Sequence, residues 1–184
     1  YSGYTPEYFA FGSSEPYQMN ETKQTGIYVQ DQAEWDKWVF TIGGRYDWSQ
    51  QATTIRENST TQRGYIERND HQFTWRGGVN YLFDNGITPY FSYSESFEPI
   101  SGATQGGKPF DPARGKQYEA GVKYVPKDLP VVVTAAVYQL TKNNNLTADP
   151  ANPTSGFSVQ GGEIRSRGFE LEAKAAVTDR KSVV

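Results

Sequence analysis

The sequence predicts an all-β protein, an antiparallel up-and-down sheet of the transmembrane β-barrel kind, on three observations. Apolar and polar side chains alternate with period two in run after run. The connections between runs alternate short and long, and aromatic rings gather near the ends of the runs. No stretch of about 18 apolar residues occurs, which excludes a membrane-spanning helix. The mean hydropathy of −0.72 does not exclude a membrane. A barrel strand shows lipid only every second side chain, so its average stays polar.

The runs follow in order. Residues 1–21, rich in Tyr, Gly and Pro, read as an extracellular loop segment, and 22–184 as a partial barrel domain. In 25–35, Ile27, Val29, Ala33 and Trp35 oppose Tyr28, Gln30, Gln32 and Glu34. Asp36-Lys37 is a two-residue turn. The run 38–48 sets Trp38, Phe40, Ile42, Gly44, Tyr46 and Trp48 against Thr41, Gly43, Arg45 and Asp47. A polar connection of about 49–70 leads to 71–83, where Phe73, Trp75, Val79, Tyr81 and Phe83 oppose Gln72, Thr74, Arg76 and Asn80. Asp84-Asn85-Gly86 carries the side chains that tight turns with φ > 0 favour. Then 87–97 alternates Ile87, Phe91, Tyr93 and Phe97 with Thr88, Ser92, Ser94 and Ser96.

After a Gly/Pro-rich connection at 98–115, the run 116–125 alternates Tyr118, Ala120, Val122 and Tyr124 with Gln117, Glu119 and Lys123. The run 131–141 is apolar on both faces, so its register cannot be read from sequence. The last run, 158–177, is clear only near its end, with Phe169, Leu171, Ala173 and Ala175 against Glu170, Glu172 and Lys174. The links 125–130 and 178–181 are short, and 142–157 is long. Tight periplasmic turns and long extracellular loops are how outer-membrane barrels are built.

Dimensions agree. Trp38 to Trp48 spans roughly 33 Å of strand, and tilted about 40° it covers roughly 25 Å, the height of a barrel's apolar band. Trp35, Trp38, Phe83 and Tyr124 flank short turns, while Tyr46, Trp48, Phe73, Trp75 and Tyr93 lie toward long connections. Two aromatic girdles are expected where rings meet headgroups. The alternative is a soluble β-sandwich whose core these rings would fill, for example a carbohydrate-binding module. Charge on the opposite face, at Arg45, Asp47, Arg76, Glu119 and Lys123, is too dense for the packed interior of a small closed barrel. It suits a wide, wet lumen, so seven strands and the start of an eighth read as a piece of something larger. The chain opens at Tyr1 without a signal peptide and stops inside a strand-like run, which fits that expectation.

Composition removes other classes. Aromatics at 15 % argue against disorder. The absence of Cys removes disulfide scaffolds and thiolate metal sites, and a net charge of −3 gives no reason to expect nucleic acid. Catalysis has little to work with: His71, the single histidine, sits at a strand edge, and no nucleophile–base arrangement, phosphate loop or His-bearing metal spacing occurs. The expectation is therefore no enzyme, no protein-bound metal and no cofactor. Asp111, Asp149 and Glu163 read as solvated loop charges rather than a cation site, and the N-x-S/T triplets at Asn20, Asn58 and Asn145 as chance matches.

Several long segments resemble strands of TonB-dependent siderophore receptors. They are Gln24–Gln32, Gly43–Asp47, Phe73–Pro99 (FTWRGGVNYLFDNGITPYFSYSESFEP), GKQYEAGVKYVP at 115–126 and GGEIRSRGFELEAKAA at 161–176. The last three are most similar to the ferric hydroxamate receptors of that family, and the likeness runs from about Pro16 onward. Residues 1–15 and 49–70 depart from it. The resemblance implies a 22-stranded barrel of which this is a middle third, a plug domain and a TonB-contacting segment upstream, and uptake of a ferric hydroxamate siderophore of the ferrichrome type. It also implies outer-membrane lipid or lipopolysaccharide as surroundings, and loops open to phage or bacteriocin. Iron would be wrapped by the siderophore, not by the protein. By local motif, Tyr17 in Pro16-Tyr17-Gln18 and Phe97 in Glu95-Ser96-Phe97-Glu98-Pro99 correspond to ligand contacts. Phe97 shares its alternation set with Phe91 and Tyr93, so a bulge or the loop onset must turn it inward. A plain diffusion or structural barrel without plug remains the other membrane reading, and an outer-membrane hydrolase a more distant one.

Overall fold

The computed structural model describes residues 18–55, 64–104, 108–151, 158–178 and 181–183. Eight strands form one antiparallel sheet, each paired with its sequence neighbour in that sheet. They are β1 (Gln18–Trp35), β2 (Trp38–Ile55), β3 (Gly64–Tyr81), β4 (Ile87–Glu98), β5 (Ala113–Tyr124), β6 (Val131–Asn143), β9 (Glu163–Thr178) and β10 (Lys181–Val183). A small hairpin, β7 (Leu146–Ala148) with β8 (Ser158–Gln160), lies in the connection from β6 to β9.

Register decides which residues share a face, because residues directly opposite one another in an antiparallel pair point the same way. Trp38 pairs Trp35 and Tyr81, Phe40 pairs Ala33 and Val79, and Tyr46 pairs Ile27 and Phe73. The row continues through Val79–Phe91, Phe91–Ala120, Ala120–Val137 and Val137–Phe169. One apolar face thus runs unbroken from β1 to β9. The register of β6 is settled by its neighbours: Val131, Val133, Ala135 and Val137 join this face through Ala175, Ala173, Leu171 and Phe169.

Nothing among the described residues covers that face. Val29 is 74 % exposed, Ile42 63 % and Leu171 66 %, and the buried apolar residues among those described are only Phe110, Ala113 and Ala136. A sandwich would bury these rings against a second sheet, so the sandwich reading fails. Rings meet near both ends of the apolar face. Trp38 packs on Tyr81 at 4.8 Å and Tyr81 on Phe83 at 4.7 Å near the short turns. Toward the long connections Trp75, Tyr93 and Tyr118 form a row at 4.7 and 4.9 Å, and Tyr46 stands 4.7 Å from Trp48. The two-girdle expectation holds.

The turns are tight, as expected. Asp36 takes φ 51° in the two-residue hairpin and Gly86 takes φ 84°. The Gly86 N–H donates to the Phe83 carbonyl (3.1 Å) and the Ile87 N–H to Asn85 Oδ1 (3.1 Å). Lys37 Nζ donates to Asp84 Oδ2 at 2.5 Å and ties the two neighbouring turns together.

Several boundaries move. β1 begins at Gln18, so 18–21 belong to the wall and not to a leading loop. The connection placed at 49–70 is mostly strand, since β2 runs to Ile55 and β3 starts at Gly64. Beyond the lipid band neither face needs to be apolar, so alternation stops there although pairing goes on. The run 158–177 is broken at Gly161-Gly162, where Gly162 takes φ 79°, into β8 and β9.

Candidate functional site

The five charged residues expected on the wet side all lie opposite the apolar face. Arg45 and Asp47 stand two apart on β2, and Arg76 is on β3. Glu119 and Lys123 lie on β5, paired with Ser92 and Thr88. The register brings Arg45 and Asp47 into a bidentate pair: Arg45 Nε donates to Asp47 Oδ2 at 2.7 Å and Nη2 to Oδ1 at 2.7 Å. Gln24 adds a third donor to Asp47 (3.1 Å). Gly26 makes room, because a Cβ there would sit 2.5 Å from Asp47 Oδ1. Arg76 donates to Gln30. Glu119 accepts from Tyr90 (2.7 Å) and Gln117 (3.0 Å), while Lys123 stays exposed at the turn end. These groups do not converge on one point. They form a wet wall whose charges are locally compensated.

Two tyrosines lie flat against this wall. Tyr90 pairs with Gly121 and Tyr138 with Gly168, and a Cβ on either glycine would fall 2.6 Å from a ring carbon. Sequence reading missed these ring-on-glycine pairs, whose signal, Tyr opposite Gly, exists only once register is known.

At the long-connection end the wall is covered. The described parts of the β4–β5 connection, 99–104 and 108–112, are fastened to the polar side of β1, β2 and β3. Thr22 and Ser101 hydroxyls stand 3.0 Å apart. The Gln51 carboxamide, oriented by its partners, donates to Ile100 O (2.8 Å) and accepts from Ile100 N–H (3.1 Å). Arg68 bridges Asp70 (2.6 Å) and Asp111 (2.9 Å). The hydrogen bond to Asp70 first, then that to Asp111, raises the Arg68 guanidinium above its ordinary pKa. From the other side Gln160 accepts the Asp111 N–H (2.6 Å) and donates to Asn144 O (2.9 Å), and Asn144 donates to Pro112 O (2.9 Å). Nothing in the Gly/Pro-rich composition of this connection announced that it turns inward.

The remaining candidates are dispersed. Tyr17 lies outside the described residues. Phe97 pairs Arg114 in unbroken register with Phe91 and Tyr93, so no bulge turns it to the polar side. Above Ser94, however, β4 is held by β5 alone, because its pairing with β3 covers only Tyr90–Ser94. His71 stacks on Tyr46 at 6.1 Å, on the apolar side. Asp111 and Glu163 are each engaged by an arginine, and Asp149 accepts the Ala151 N–H. Among the described residues no three His, Cys, Asp or Glu side chains gather as a metal site would require.

A lipid-width apolar face with girdles, a wet reverse face and alternating connections define an outer-membrane β-barrel wall. The chain belongs to the TonB-dependent receptor-like β-barrel family, whose description matches residues 1–179; it is a component of a Gram-negative outer membrane. It is 62 % identical over 173 residues to the ferrichrome outer membrane transporter/phage receptor of Escherichia coli K12, covering 94 % of this chain and 22 % of that protein. To the ferrioxamine B receptor of Salmonella typhimurium it is 39 % identical over 96 % of the chain and 24 % of the relative. The chain thus spans about a quarter of the length of the curated relatives it matches. Among solved structures, the siderophore receptor PiuA from Acinetobacter baumannii matches 87 % of this chain and 24 % of its own, at TM-score 0.72 and 23 % identity. The alcaligin receptor FauA from Bordetella pertussis matches at TM-score 0.61 and 26 % identity, over 88 % of this chain and 28 % of its own.

Proposed function

We propose that this wall belongs to an energy-coupled receptor that takes up ferric hydroxamate siderophores of the ferrichrome type and does no covalent chemistry. The observation that carries the reading is the 62 % identity to the ferrichrome transporter over 94 % of the chain. The physical support is the wet wall. Compensated charges such as Arg45–Asp47 line a lumen that holds water or a polar plug, which suits passage of a bulky hydrophilic chelate. The iron arrives wrapped in siderophore oxygens, so the protein supplies aromatic surface and hydrogen-bond donors rather than metal ligands. Coupling to TonB, contact with lipopolysaccharide, and phage or bacteriocin use of the long connections belong to the same proposal.

Tyr17 is proposed as an aromatic ligand contact. Phe97 joins it only if the one-sided end of β4 above Ser94 rotates inward on ligand binding. The test is uptake of radio-iron ferrichrome by cells carrying the full-length receptor, with and without TonB, against ferrioxamine B as competitor. TonB-dependent ferrichrome uptake, weakened several-fold by Tyr17→Ala, is the expected result. TonB-independent passage would support the diffusion barrel instead, and uptake of ferrioxamine B alone would overturn the ligand assignment.

A further inference from the structure

The β4–β5 connection is more than a covering loop. Ser101 touches Thr22 of β1, three strand spacings from β4, so the chain has travelled roughly 14 Å across the polar face. The segment is stitched to itself: the Phe110 N–H donates to Gly102 O (3.2 Å), Thr104 N–H to Lys108 O (2.8 Å), and Ala103 bridges Pro109. Phe110 is buried against Gly102. Along β2, Ser49, Gln51 and Thr53 share the covered face and are all buried despite being polar. Gln51 clamps Ile100, and the Ser49 hydroxyl, 1 % exposed as a residue, meets no hydrogen-bonding partner among the described residues. A wall that merely faced water would not seal a serine this way.

We propose that the described parts of the β4–β5 connection, 99–104 and 108–112, form an inward-folded strap that narrows the lumen mouth on the β1–β3 side and limits the size of ligand admitted there, with Arg68–Asp111 as its latch. The two limbs of the strap are hydrogen-bonded to each other, yet they are fastened to the wall by polar side chains that water can replace. Its hold is therefore adjustable by single substitutions. The word ligand rests on the receptor reading; the placement of the strap does not.

The test uses the full-length receptor in outer membranes. This chain has no cysteine of its own. Ser49→Cys is expected to react with a water-soluble maleimide at least about ten-fold more slowly than Gln50→Cys, its exposed neighbour on the other face. Adding Arg68→Ala and Asp111→Ala should remove most of that difference, while Arg68→Lys should keep it. Thr22→Cys with Ser101→Cys should form a disulfide in air. Fast labelling of Ser49→Cys with the latch intact, protection that persists when the latch is broken, or failure of the cross-link would each overturn the strap. In parallel, the latch-broken receptor should take up ferrichrome bearing a bulky conjugate several-fold better relative to plain ferrichrome. An unchanged ratio overturns the size limit. Protection of Ser49→Cys in a receptor that takes up neither chelate would uphold the fold of the strap and reject the siderophore reading.

Discussion

Ile42 and Thr41 are adjacent on β2 and point to opposite faces, so the same substitution at each separates lipid from lumen. Ile42 lies four residues above Trp38 on a ten-residue climb to Trp48, near mid-depth of the apolar band. Its side chain is 63 % exposed. Losing that surface from acyl contact costs about 1–2 kcal/mol. A guanidinium at mid-depth brings the cost of Ile42→Arg to about 2–4 kcal/mol, a factor of about 30–700 in the folding equilibrium. Thr41→Arg turns into the wet wall and is expected to cost less than about 1 kcal/mol. The assay is guanidinium unfolding of the full-length receptor in phosphatidylcholine vesicles, read as loss of the compact gel band in unheated samples. Equal midpoints for the two variants, or a larger loss for Thr41→Arg, would refute the assignment of faces.

Three further outcomes are expected. Gly121→Ala places a Cβ 2.6 Å from the Tyr90 ring and 2.7 Å from the Ala135 carbonyl. It should cost about 1–3 kcal/mol by overpacking, and adding Tyr90→Ala should recover only part of it in the same unfolding assay, because the carbonyl stays. The Lys37 ammonium bonded to Asp84 holds that carboxyl below its usual range. The pair's small stabilisation is therefore present above the ordinary carboxylate pKa of about 3.9 and is lost as pH falls through the folded-state value. Asp84→Asn should flatten the acid limb of the unfolding midpoint below about pH 4 and leave neutral pH nearly unchanged. The 184 residues alone, with one greasy face and unpaired edge strands, should self-associate in detergent-free buffer and bind no ferric siderophore. A monodisperse monomer by light scattering, with measurable affinity, would contradict that.

The wall was legible because its physics is local. A strand that meets lipid on one side must alternate, and short turns such as Asp36-Lys37 force sequence neighbours to pair. Faces, girdles and the positions of Arg45, Asp47, Arg76, Glu119 and Lys123 follow from those two facts. β6 escaped because Val132, Ala136 and Tyr138 make its wet face apolar as well; only the pairing of Val137 with Phe169 and Ala120 chose a side. The extensions of β2 and β3 escaped because strands that rise out of the bilayer lose the alternation by which strands are recognised.

Period two determined by itself that each strand carries one apolar and one polar face, since alternation is a demand each residue meets alone; that the apolar face stays uncovered among the described residues, as in a barrel wall and not in a sandwich, came from the structure. Only the tertiary structure decided that the β4–β5 connection lies across the wet face, and that no bulge turns Phe97 toward it. Those outcomes depend on partners 79 residues apart, such as Thr22 and Ser101, or 43 apart, such as Arg68 and Asp111. A polar side chain can bond to water or to a distant strand equally well in composition. Which partner it takes is settled when the sheet brings the two together.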